Sequence, residues 1–134
     1  MALDKFSYKT IYGLLLLIQA IIGFSMPLLM AMQPSGFKNF MYGVFVCAIF
    51  NCEGGHFVLT PTVYVKLYGV KAGIRVQSVG DCFIAIASVI NIGIFHFFFD
   101  KIGFGGISTL YASFNLIAFV ILICFFKEEK ITLK

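Results

Sequence analysis

Thr10–Phe37 reads TIYGLLLLIQAIIGFSMPLLMAMQPSGF, 28 residues without one charged side chain. An uncharged apolar run of about 18 or more residues can cross about 30 Å of hydrocarbon as a helix. Three more apolar runs follow, and together they predict a single membrane domain over residues 1–134. The predicted spans cover about 10–32, 39–59, 79–99 and 107–126. The expected fold class is all-α integral membrane, with four transmembrane helices.

Composition supports lipid as the solvent. Of 134 residues, 60% are hydrophobic and 12% charged, against about 25% charged in an ordinary soluble domain. Mean hydropathy is +0.99. Trp is absent and Phe reaches 17, so the six Tyr must do the interfacial anchoring that Trp often shares. The net charge of +4 is no nucleic-acid signal, because the basic residues sit in short stretches between spans. No nucleic-acid partner is expected. Cys47, Cys52, Cys82 and Cys124 form no CxxC, and their ordinary reading is small apolar side chains within or near spans. The first apolar run exceeds a typical signal core, and no small-x-small site follows it cleanly.

Boundaries follow from Gly, Pro and charge. Pro27 should free a backbone carbonyl in the first span, which a neighbouring helix must satisfy. Gln33-Pro34-Ser35-Gly36 reads as a turn. Pro61 is expected to end the second span. Thr62–Arg75, with three positive charges and no negative one, predicts an interfacial loop or short helix. Asp100, Lys101 and the glycines at 103, 105 and 106 predict a reversal.

Orientation comes from counting Lys and Arg. Lys5, Lys9, Lys66, Lys71, Arg75, Lys127, Lys130 and Lys134 fall on one side; Lys38 and Lys101 fall on the other. The positive-inside rule places both termini on the cytoplasmic side, or the matrix side of a mitochondrion, in a multi-pass protein.

Inside the spans the chemistry is sparse. Glu53 is the acidic residue clearly within a predicted span, and His56 shares its helical face three residues on. A carboxyl at such depth should face the bundle or an aqueous cavity, or be protonated. The pair is open to three readings: a relay or substrate-holding pair, a hydrogen-bonded packing site beside Gly54 and Gly55, or a charge snorkelling to the interface. Gln19, Asn51, Asn91 and Asn115 are expected to bond across helices, at about 0.6 kcal/mol each. Asp81, six residues after Arg75, is expected to be neutralised locally. His96 and Asp100 are expected to pair or cap a helix end. His56 and His96 lie at different expected depths, roughly 9 Å and 12 Å on opposite sides of the midplane. That argues against shared haem ligation. No phosphate loop, nucleophile elbow or HExxH occurs. No enzyme, cofactor or metal site is expected, and bound structural lipids are.

Two segments carry a family resemblance. Asp4-Lys5-Phe6-Ser7-Tyr8-Lys9 resembles the second half of the G-x-x-x-D-[RK]-x-G-x-[RK] loop motif of major facilitator superfamily transporters. Asp4, Lys5 and Lys9 match; Ser7 replaces the usual Gly, and the leading Gly has no counterpart. Glu53-Gly54-Gly55-His56-Phe57, through Pro61 to Leu67-Tyr68-Gly69-Val70-Lys71-Ala72-Gly73, resembles the tenth-to-eleventh helix connection of the monocarboxylate and oxalate/formate-like branch. The resemblance implies that these helices correspond to the last four of a twelve-helix fold. Four helices supply at most part of one of the two bodies that alternating access requires.

The leading expectation is therefore a non-catalytic accessory or structural subunit of a larger membrane complex, partnered by lipids and other integral membrane subunits. A respiratory-chain assembly of the mitochondrial inner membrane is the expected setting. The alternative is one part of a split or truncated transporter for small organic anions, with Glu53 and His56 as its intramembrane polar pair.

Overall fold

A computed structural model describes residues 7–126. Asp4, Lys5, Lys127, Lys130 and Lys134 lie outside the described residues. Everything described is helix or short turn, with no strand. By hydrogen bonding there are two elements, α1 (Tyr8–Ala31) and α2 (Gly36–Phe125). Both are long and apolar enough to cross a membrane, by length and composition.

This corrects the expectation of four separate helices. The helical pattern of α2 runs on without an intervening loop, and its backbone departs from helical geometry at two glycines. Gly69 has φ 75° and ψ 167°, and Gly103 has φ 65° and ψ −178°. That conformation is essentially glycine's alone, because a Cβ would clash with the flanking peptide. The two breaks divide α2 into rods at 36–68, 70–102 and 104–125, here α2a, α2b and α2c.

The rods fold back on one another. A Cβ placed on Gly80 would lie 3.2 Å from the Tyr64 hydroxyl, so α2b returns along α2a. Gly13 faces Phe119, Gly23 faces Ala112 and Gly105 faces Pro27, so α2c runs antiparallel to α1. Gly55 meets Leu15, placing α2a antiparallel to α1 on another side. Helix α1 is the hub. Its buried residues, Gly13, Gln19, Ala20, Ile22, Gly23, Met26 and Leu29, recur at helical spacing. Its closest approach is at Gly23, where a Cβ would come within 2.8 Å of the Ala112 Cβ. Glycine there brings two backbones together, which is how helices gain packing contact where lipid removes the hydrophobic drive.

Helix ends are satisfied by side chains. Ser7 accepts from the Thr10 amide at 3.4 Å and Ser35 from the Lys38 amide at 3.1 Å, which caps α1 and α2 at their N-termini. Lys38 Nζ donates to the Met30 and Met32 carbonyls at 2.9 and 2.8 Å. Lys9 Nζ donates to the Ile123 and Phe126 carbonyls at 2.8 Å each. Each ammonium thus sits at the negative end of a neighbouring helix.

Pro61 does not end its helix; α2a continues to Tyr68. Proline removes one helical hydrogen bond, here the one to the Phe57 carbonyl, and the ladder on either side carries the helix on. Thr60 and Thr62 flank it, donating to the His56 and Val58 carbonyls at 2.7 and 3.2 Å. The basic stretch 62–75 is accordingly helical on both sides of Gly69. Rods α2a and α2b are each about 50 Å long at 1.5 Å per residue, well beyond the hydrocarbon thickness.

Rod α2b is the outlier in packing. Of its residues only Gly73 is buried. Val89, Ile92 and Phe97 are each 70% exposed. An apolar helix left this bare needs lipid or another protein around it.

Candidate functional site

Polar side chains gather at the middle of the rods. Gln19 lies at the centre of α1, Glu53 one residue from the centre of α2a, and Asn115 at the centre of α2c. Gln19 is 5% exposed, and its Nε2 donates to Glu53 Oε1 at 2.8 Å. Burying a carboxamide without a partner costs about 1–3 kcal/mol, so the bond explains how Gln19 is tolerated among Ala20, Ile22 and Gly23. Glu53 itself is exposed. Around this layer a cavity of about 620 Å³ opens between all four rods. Asn91, Ser108, Tyr111 and Asn115 add polar groups to its wall.

Glu53 also lines a second cavity, of about 250 Å³, together with His56, Thr60, Gln77 and Asp81. The structure therefore brings the predicted pair Glu53 and His56 to one cavity and adds Asp81 from α2b. The His56 ring lies 5.3 Å from the Tyr12 ring. Tyr12 and Thr60 share a hydrogen bond. Thr60 commits its single hydroxyl proton to the His56 carbonyl, so Tyr12 is the donor to Thr60. His56 Nε2 is sealed from solvent and has no hydrogen-bond partner among the described residues.

A third cavity, of about 500 Å³, shares Thr60, Asp81 and Ile84 with the second and reaches Tyr8, Tyr64 and Tyr68 near the Gly69 turn. A fourth shares Asn91, Phe95 and Tyr111 with the first and ends at His96. The four form a chain along α2b. Among the described residues no Lys or Arg lines any of them; the charged or titratable walls are Glu53, Asp81, His56, His96 and tyrosines.

Other polar residues lie apart from this chain or differ from expectation. Asn51 bonds its own helix, at the Cys47 carbonyl 2.8 Å away, rather than a neighbour. His96 is exposed and stands edge-on to Phe97, 5.3 Å between centroids. His56 and His96 line different cavities. Lys9 is at the α2c terminus, away from Glu53. All four cysteines are free, with Cys52 buried. No group of three His, Cys, Asp or Glu close enough to hold a metal occurs among the described residues.

Sequence reasoning missed Tyr12 and Thr60. The available signal was register: Tyr12 and Gln19 are seven apart, as are Glu53 and Thr60, so two polar pairs match across antiparallel helices. No family model matches the chain, and neither does any curated protein or solved structure.

Proposed function

We propose that this chain is an integral membrane protein whose four rods each cross the bilayer, and that it serves as a non-catalytic structural subunit of a larger membrane assembly. One observation carries the reading. Glu53 stands at the middle of the mainly apolar rod α2a, is exposed, and has Gln19 as its hydrogen-bond partner among the described residues. A carboxyl at mid-bilayer is expensive and faces protein or water rather than lipid tails. The exposed flank of α2b beside it offers the apolar area on which another membrane subunit would pack. The resemblance to helices of a major facilitator fold agrees with this, because helices of such a fold pack against further helices.

The organic-anion alternative is weakened by charge. Cavities walled by Glu53 and Asp81, with no Lys or Arg among the described residues that line them, oppose an anionic substrate.

The test is extraction followed by native separation. Membranes containing the full chain are washed with alkaline carbonate, solubilised in mild detergent and run on a native gel. The chain is expected to resist the wash and to migrate with larger membrane proteins. Release by carbonate sinks the membrane reading, and migration alone sinks the subunit reading.

A further inference from the structure

We propose that the outer face of α2b binds an anionic phospholipid, its phosphate held between Lys71 and Arg75 and its acyl chains lying along Cys82, Ile86 and Val89. The inference rests on the reading that the rods cross a bilayer.

Depth is the first observation. Residues 76–99 lie between Arg75 and Asp100 and rise about 36 Å as a helix at 1.5 Å per residue. A hydrocarbon core is about 30 Å thick, so a tilted α2b brings Arg75 to its edge. Lys71 stands one turn further out. Both basic groups therefore reach the layer in which lipid phosphates lie. Asp81, the charge within 76–99, lines the inner cavities instead.

Direction is the second. A Cβ on Gly73 would lie 2.8 Å from the Tyr64 carbonyl oxygen, so that side of α2b presses on α2a. Lys71 and Arg75 are two residues before and after Gly73, each roughly 200° around the helix from it, and so share the side away from α2a. Four apart, they stand one above the other. Both are exposed. The inner face is marked by Gln77, Gly80, Asp81 and Ile84, which line the cavities. The outer face continues from Arg75 at helical spacing through Ser78, Cys82, Ile86 and Val89. Cys82 is exposed, Ile86 is 56% exposed and Val89 70%. Ser78 commits its hydroxyl proton to the Ile74 carbonyl at 3.1 Å, which leaves the phosphate to the two cations.

Charge complementarity selects the occupant. This face is cationic at the headgroup level and apolar below it, the order of groups in a phospholipid of net negative charge. The stretch 62–75 carries three positive charges and no negative one, so no acid beside them in sequence neutralises Lys71 and Arg75. The break at Gly69 starts α2b at Val70, and the positive end of its dipole points into the same layer. The Arg75 guanidinium can take two phosphate oxygens at once, and the Lys71 ammonium a third. The flank beside Glu53 stays open to the partner subunit.

The test is native mass spectrometry of the full chain in mild detergent, with phosphatidylglycerol or phosphatidylcholine added at known concentration. The parent chain is expected to retain phosphatidylglycerol in preference. Lys71→Gln and Arg75→Gln should each weaken that binding about fivefold, the worth of one basic residue near an anionic surface, and leave phosphatidylcholine retention unchanged. Lys71→Arg should keep the binding, as should Lys101→Gln at the far end of the rod. Neither inorganic phosphate nor glycerophosphoglycerol, the same headgroup without chains, should displace the lipid. A preference that survives in the Lys71→Gln/Arg75→Gln double variant overturns the proposal, as does displacement by either chainless anion at equal concentration. A parent chain indifferent to phosphatidylglycerol overturns it too, and leaves the face to an acidic segment of another protein. Release of the chain from phosphatidylcholine vesicles by alkaline carbonate instead overturns the membrane reading on which the proposal rests.

Discussion

The Ser108 hydroxyl donates a 3.0 Å hydrogen bond to the Gly23 carbonyl. That carbonyl lies four residues before Pro27, which has no N–H to offer it. One residue of α2c thus supplies the bond that proline removes from α1. Ser108→Ala is expected to destabilise the fold by about 1 kcal/mol, the net worth of such a bond. Pro27→Ala restores the helical donor, so Ser108→Ala on that background should cost less. Denaturation of all four chains in mixed micelles, arranged as a double-mutant cycle, measures the coupling. Equal costs on both backgrounds would refute it.

Two helices touch at Gly23. With a Cβ there only 2.8 Å from that of Ala112, Gly23→Ala forces α1 and α2c apart. The expected cost is about 1–3 kcal/mol, as for other overpacked contacts. Ala112→Gly removes the opposing methyl and should recover part of the loss. Thermal unfolding in detergent of the single and double variants is the measurement.

At Gly69 the limit is backbone conformation. With φ 75° and ψ 167°, a side chain there is strained even though open space surrounds it. Gly69→Ala is expected to cost roughly 1–3 kcal/mol. Gly54→Ala, at a helical position equally free of neighbours, should be neutral or slightly stabilising. Parallel unfolding curves for the two variants separate strain from crowding.

Four crossings put successive rod ends on alternating sides. In a background without native cysteines, Tyr68→Cys should react with a membrane-impermeant maleimide from the side that carries the amino terminus. Phe37→Cys and Lys101→Cys should react from the other. Labelling of Phe37→Cys and Tyr68→Cys from the same side would exclude this topology.

What the sequence disclosed depended on whether the cause was local. The orphaned carbonyl near Pro27 was legible, because proline's missing donor is a property of one residue. Its rescuer was not, since Ser108 is 85 positions away and local pattern carries no register between distant helices. The reversal near Gly103 was visible as a cluster of glycines beside Asp100 and Lys101. The connection over 62–75 is legible as a basic stretch, but its narrowing to Gly69 is not, because one glycine among Lys66, Lys71 and Arg75 does not mark where helix stops and restarts. Sequence pairs Asp81 with Arg75, its neighbour along the chain; tertiary register adds a place on the cavity of Glu53 and His56 that local pattern does not carry. Asn51 has the chemistry to bond between helices, yet the Cys47 carbonyl one turn back is within its reach and takes the bond.

The bond between Gln19 and Glu53 separates packing from need. Gln19→Leu strands a carboxyl at the middle of α2a and is expected to cost about 1–3 kcal/mol. Glu53→Leu alone strands the buried carboxamide of Gln19, at a similar cost. Replacing both by Leu leaves nothing unsatisfied, and an apolar pair of this kind is often neutral or better than the polar one. The double variant should therefore unfold near the parent chain in detergent. If Glu53 also faces the partner subunit, that same double variant, though stable, should fall out of the larger assembly on a native gel. A double variant that stays in the assembly confines Glu53's role to this chain.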